Sequence, residues 1–278
     1  MKTIIAPTDF SANSLNAVDY AADMANMLGA HLTLFHVYAI PTPATEVPIP
    51  TYDVEALAIA ADAEIQKLKE TLLNRLNDRV IIHTETRPGY VINELTEYAD
   101  SVKPFAVVMG AESAGAFERF LFGGKTVTAV KDLAWPLIIV PPTAKFTNIR
   151  KAGLACDFRV VVDSVRVQEI KELVKEFNAE LHILHVSDKT QGTFSAVTVE
   201  ESGLLQEMLG DLHPQYHFLN APEVEKSVTD FAEENKLDLL ILIPKRHSLV
   251  SKIFQHSHSK QLVLHTHVPV MSLHETPM

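Results

Sequence analysis

Thr-Ile-Ile-Ala-Pro-Thr-Asp-Phe, residues 3–10, is a short apolar run that breaks into a polar turn. Residues 152–158, Ala-Gly-Leu-Ala-Cys-Asp-Phe, repeat that shape and set Asp157 where Asp9 stood. Downstream of the first copy, Leu15, Val18, Ala22 and Ala25 share one helical face, with Ser11 or Ser14 to cap its start and Gly29 to end it. HLTLFHV (31–37) then reads as a buried strand, rich in β-favouring residues. A proline-rich loop (40–51) leads to a long helix carrying Leu57, Ala61, Ile65, Leu68, Leu72 and Leu76 at three- and four-residue steps. VIIHTET (80–86) reads as a strand, residues 87–89 as a turn, 90–101 as a helix and FAVVMG (105–110) as a strand. A glycine-bearing loop and a helix to about Leu133 follow, and PLIIVP (136–141) closes the unit.

The same order returns beyond a polar join at 143–150. LHILHV (181–186) answers LTLFHV, LDLLILIP (237–244) answers PFAVVMG, and VPVMSL (268–273) answers WPLIIV. The second copy is shorter, mainly between its second and fourth strands. Two tandem α/β units, 1–144 and 149–278, are expected. Alternating strands and helices imply parallel sheets with helices on both faces, because the crossovers are right-handed. Ligands of such sheets bind at the carboxyl ends of the strands, near a switch in strand order. That directs attention to the tips holding Asp9 and Val37 and to the loop after Met109.

Composition agrees. The 278 residues suit one large or two medium domains at roughly 150 residues each, and 47% apolar content supplies a core. A formal charge of −11 argues against nucleic acid or an anionic membrane as the main partner. One cysteine, Cys156, excludes an internal disulfide and a cysteine-built metal cage. The first residues, MKTIIAPTDF, lack the core of a secretory signal. No apolar run approaches the roughly 20 residues of a membrane helix. A cytoplasmic protein is expected.

Two features carry candidate chemistry. The loop 110–126 holds Gly110, Gly115, Gly123 and Gly124, then Lys125 and Thr126 at a predicted helix start. Glycines let backbone approach a phosphate and helix N–H groups bind the anion, with Lys125 adding charge and Thr126 a hydroxyl. The same loop also reads as a simple turn. Asp9 either accepts hydrogen bonds from a ribose or adenine amine, or caps the following helix. No HExxH pattern or nucleophile elbow is present, and the histidines after residue 246 read as surface or capping groups. Cys156 reads as a small buried hydrophobe.

Together, Pro-Thr-Asp-Phe-Ser (7–11), LTLFHV and the block VVMG…GG…WPLIIVP resemble the universal stress proteins of the UspA type, in their tandem form. The resemblance implies two Rossmann-like (adenine nucleotide alpha hydrolase-like) domains, each a five-stranded parallel sheet of order 3-2-1-4-5 with flanking helices. It also implies fifth strands that pair with each other, here within one chain as a pseudo-dimer, with a further homodimer left open. ATP-binding members carry Gly-x2-Gly-x9-Gly-Ser/Thr after the fourth strand. Gly110 and Gly123 match, whereas Ser113 and Gly124 depart, and Gly115 and Lys125 stand near enough to compensate. Asp9 matches the adenosine-contacting acid and Val37 the adenine-lining position, and Pro7, Thr8 and Met109 beside them are further cofactor-binding candidates. In the second unit Pro244, which lacks an N–H, replaces the first glycine, so the cradle has degenerated.

The function so implied is a stress-response sensor or adaptor binding ATP (with Mg²⁺) or AMP in its first unit, with at most slow hydrolysis. A nucleotide-free interaction protein is the alternative that the departures favour. A nucleotidyl-transferring enzyme would need a pyrophosphate signature that is absent.

Overall fold

The computed structural model describes residues 1–40, 53–111, 133–155, 166–187, 196–220, 224–243 and 267–273. Its first half contains β1 (Thr3–Pro7), α1 (Ala12–Leu28), β2 (His31–Tyr38), α2 (Val54–Leu76), β3 (Ile82–Pro88), α3 (Val91–Val102), β4 (Ala106–Gly110) and β5 (Leu137–Val140). The second contains β6 (Lys151–Ala155), α4 (Val167–Phe177), β7 (Glu180–Ser187), α5 (Ala196–Leu209), β8 (Gln215–Asn220), α6 (Val224–Glu234), β9 (Leu239–Leu242) and β10 (Val270–Ser272).

These strands form one ten-stranded sheet of order β3-β2-β1-β4-β5-β10-β9-β6-β7-β8. Each half is parallel within itself and has the expected order 3-2-1-4-5. The halves meet where β10 runs antiparallel to β5, Val270 opposite Ile139 and Ser272 opposite Leu137. Each fifth strand would otherwise be a bare edge, and this pairing removes both.

Strand periodicity sorts the core into two layers. Ile4, Ala6, Leu32, Leu34, Val108, Leu154, Ile183 and Ile241 point to one face, under α1, α2, α4 and α5, in a core continuous across both halves. Ile5, Phe35, Val107 and Ile139 point the other way, onto Leu95 and Ala99 of α3. Leu184 and Leu240 do the same onto Val228 and Ala232 of α6. Strands covered on both faces read as unbroken apolar runs.

Contacts outside the sheet also span the halves. Tyr20 packs edge-on to Phe146 at 5.1 Å, and Phe146 lies 6.1 Å from Phe177. Lys2 pairs with Glu176 at 2.6 Å and Glu172 at 3.6 Å. Asn16 on α1 donates to the carbonyls of Pro141 and Ala144 and accepts from Lys145, fastening the join that follows β5.

Several expectations need correcting. Arg87 and Pro88 are not a turn: β3 continues through them, opposite Val37 and Tyr38, and the chain reverses at Gly89 (φ 136°). On α2 the expected apolar face is buried only at Ala61, Ile65, Leu72 and Leu76, because Leu57 and Leu68 are half-covered. On α1 burial extends past the expected stripe to Asn16, Ala17, Tyr20, Ala21 and Met24, because the helix contacts both the sheet and the join.

Candidate functional site

The switch in strand order in the first half lies between β1 and β4, whose carboxyl ends are Pro7 and Gly110. Pro7 and Thr8 are buried and Asp9 is exposed; Val37, Met109 and Gly110 are half-buried around them. Val37 and Met109 pack onto the α3-side core. The predicted residues Pro7, Thr8, Asp9, Val37, Met109 and Gly110 therefore lie at the carboxyl tips of three adjacent strands. Ser113, Gly115, Gly123, Gly124, Lys125 and Thr126 lie outside the described residues. So do the helix to Leu133, the proline-rich loop, Cys156, Asp157, Pro244 and all the late histidines except His267, which lies 3.3 Å from the Thr143 hydroxyl.

The β1 tip is a closely bonded turn. The Thr8 N–H donates to the Phe35 carbonyl at 2.8 Å, the Phe10 N–H to Thr8 Oγ1 at 3.0 Å and the Ser11 N–H to Asp9 Oδ1 at 3.0 Å. Thr8 Oγ1 lies 3.0 Å from Ser14 Oγ. Ser11 is the N-cap of α1, its hydroxyl accepting from the Ser14 N–H. This corrects the capping reading of Asp9: the carboxylate closes the turn before the helix and Ser11 caps it. Partial burial pushes the Asp9 carboxyl up, but hydrogen bonds from Ser11 and Ser14 outweigh it and leave the group below its ordinary value. At neutral pH an ionised, exposed acceptor thus stands at the switch point.

Gly110 has a specific steric duty. A Cβ there would lie 2.3 Å from the Asn13 carbonyl oxygen and 2.7 Å from its carbon. Side chains are excluded because the end of β4 lies against the backbone of the first turn of α1. The residue matching the first motif glycine is therefore required by packing, whatever binds beside it.

Two residues at this tip were missed in the sequence. His36 Nδ1 lies 2.8 Å from the Thr8 carbonyl oxygen. Phe10 has φ 62° and sets its ring 4.7 Å from the His36 imidazole. Thr8 and His36 are 28 positions apart, so no local pattern announces the contact.

A separate cleft of about 410 Å³ lies at the join, lined by Tyr20, Lys145, Glu233, Lys236, Asp238 and His267 among others. None of the predicted site residues lines it. Among the described residues no three His, Cys, Asp or Glu side chains gather in a way that could hold a metal ion. No described helix is long and apolar enough to cross a membrane.

The model of the universal stress protein family matches residues 1–141 and 165–274. A universal stress protein of Methanocaldococcus jannaschii is 27% identical over 145 residues, 52% of this chain and 84% of that protein. A solved universal stress protein from Archaeoglobus fulgidus superposes with TM-score 0.67 at 18% identity, covering 98% of this chain and 96% of that one. A solved protein of unknown function from Pseudomonas aeruginosa gives TM-score 0.60 at 13% identity, over 99% and 93% of the two chains.

Proposed function

The chain belongs to the universal stress protein family, and from that premise we propose that its first unit, residues 1–144, binds ATP or AMP as a cytoplasmic stress sensor or adaptor. The observation that carries the reading is the ionised Asp9 carboxylate at the β1/β4 switch point, with Val37 and Met109 on the neighbouring tips. One acceptor beside two apolar side chains fits an adenosine. An exposed carboxylate suits ribose hydroxyls or the adenine amine, and two half-buried apolar side chains suit a purine ring.

Ser113, Gly115, Gly123, Gly124, Lys125 and Thr126 would hold the phosphates, which ATP brings with Mg²⁺. Backbone N–H groups supply such binding locally, so the net charge of −11 does not oppose it. The second unit, 149–278, lacks the glycine cradle and serves as the fixed half of the pseudo-dimer. Occupancy then changes the surface around 110–126 that a partner meets, and no base positioned for hydrolysis is assigned.

The packing duty of Gly110 favours a second reading, a nucleotide-free interaction protein, since that glycine is needed without any phosphate. Mass spectrometry of small molecules released on denaturing the purified chain separates the two. The nucleotide reading expects an adenine nucleotide from the native chain and its loss from Asp9→Ala, which removes an ionised acceptor worth about 10- to 100-fold in affinity. Equal release from both would rule out Asp9 as the contact.

A further inference from the structure

We infer that His36 is a positioning residue of the site proposed above: its Nδ1–H, held on the Thr8 carbonyl, fixes the β1-tip turn in the shape that presents Asp9 to the nucleotide. The inference deepens the nucleotide reading and rests on it for its ligand.

The parallel ladder between β1 and β2 ends at Pro7 opposite Phe35. Beyond it the chain has no sheet to hold it, yet both peptide groups of Thr8 stay tied to β2. Its N–H bonds the Phe35 carbonyl and its carbonyl bonds His36, each at 2.8 Å. A carbonyl oxygen only accepts, so Nδ1 carries the proton and the neutral ring is the Nδ1–H tautomer. The other end of the turn is Phe10, at φ 62°, where a non-glycine residue persists only if its surroundings over-determine it. Its ring rests on the same imidazole at 4.7 Å. His36 therefore grips the turn on both sides of Asp9, by a hydrogen bond before it and by ring contact after it.

The duplicated half carries the same residue at the same register. Leu184, the partner of Ala155 at the end of the β6–β7 ladder, is followed by His185, as Phe35 is followed by His36.

The test compares His36→Phe, which keeps a ring against Phe10 and removes the donor, with His36→Asn, whose amide N–H replaces Nδ1–H. AMP and ATP titrations are read beside urea midpoints. H36F should stay folded and bind about 3- to 10-fold more weakly, the net worth of one hydrogen bond, and H36N should recover to within about twofold of the native chain. Native affinity in H36F, or H36N as weak as H36F, would overturn the inference. Nitrogen NMR of the native imidazole reads the clamp without any ligand. The Nδ1–H tautomer supports it and the Nε2–H tautomer refutes it. A native chain that binds neither nucleotide, yet shows Nδ1–H, defeats the nucleotide reading while leaving the clamp on Thr8 standing.

Discussion

At Gly110 a glycine offered for a ligand meets a demand of packing. The sequence offers it as a phosphate-facing glycine, and the structure finds the Asn13 backbone where its Cβ would be. Backbone cannot step aside as a flexible side chain can. Gly110→Ala should therefore cost about 1–3 kcal/mol by overpacking, read as a lower urea midpoint in a chain with no nucleotide added. An unchanged midpoint would mean that β4 and α1 separate easily and that the glycine serves a ligand alone. The place of Asp9 at a strand tip was legible at this scale because it stands at the end of an apolar run and recurs as Asp157. His36 was not, because its partner carbonyl comes from another strand and carries no side-chain signature.

Elements were legible where composition changes sharply. α1 begins at Ser11 and ends at Gly29, which adopts φ 59°, and both residues advertise those roles. Ser11→Ala should cost about 1 kcal/mol, because the Ser14 N–H loses its acceptor and the Ser11 hydroxyl leaves the web around Thr8 and Ser14. Chemical denaturation measures it; a loss below a few tenths would show that water replaces the cap. Other ends were less visible for a physical reason. α3 closes on Lys103 (φ 53°) and α6 is followed by Lys236 (φ 53°), left-handed positions that sequence assigns to Gly or Asn. The misread turn at 87–89 has a similar origin. Proline suggests a break, but Pro88 lies at the end of β3, an edge strand, where a missing N–H costs no ladder bond.

For the whole molecule, the repeat decided the fold and the fold decided where a ligand could sit. Each half alone would expose its fifth strand. Joined antiparallel at β5 and β10, they form a ten-stranded sheet with one core layer continuous across the junction. Strands in the two halves consequently run in opposite directions, and the two carboxyl edges face opposite ways. A ligand at the first edge is therefore remote from the second half's own edge, so the halves can diverge without disturbing each other. The glycine loop retained in part near Gly110 and lost at Pro244 is such a divergence. Isothermal titration of the intact chain with ATP tests this account most directly. One nucleotide per chain is predicted, with binding abolished or weakened at least tenfold in affinity in Asp9→Ala. A flat trace for the native chain, or two equivalent sites per chain, would contradict it.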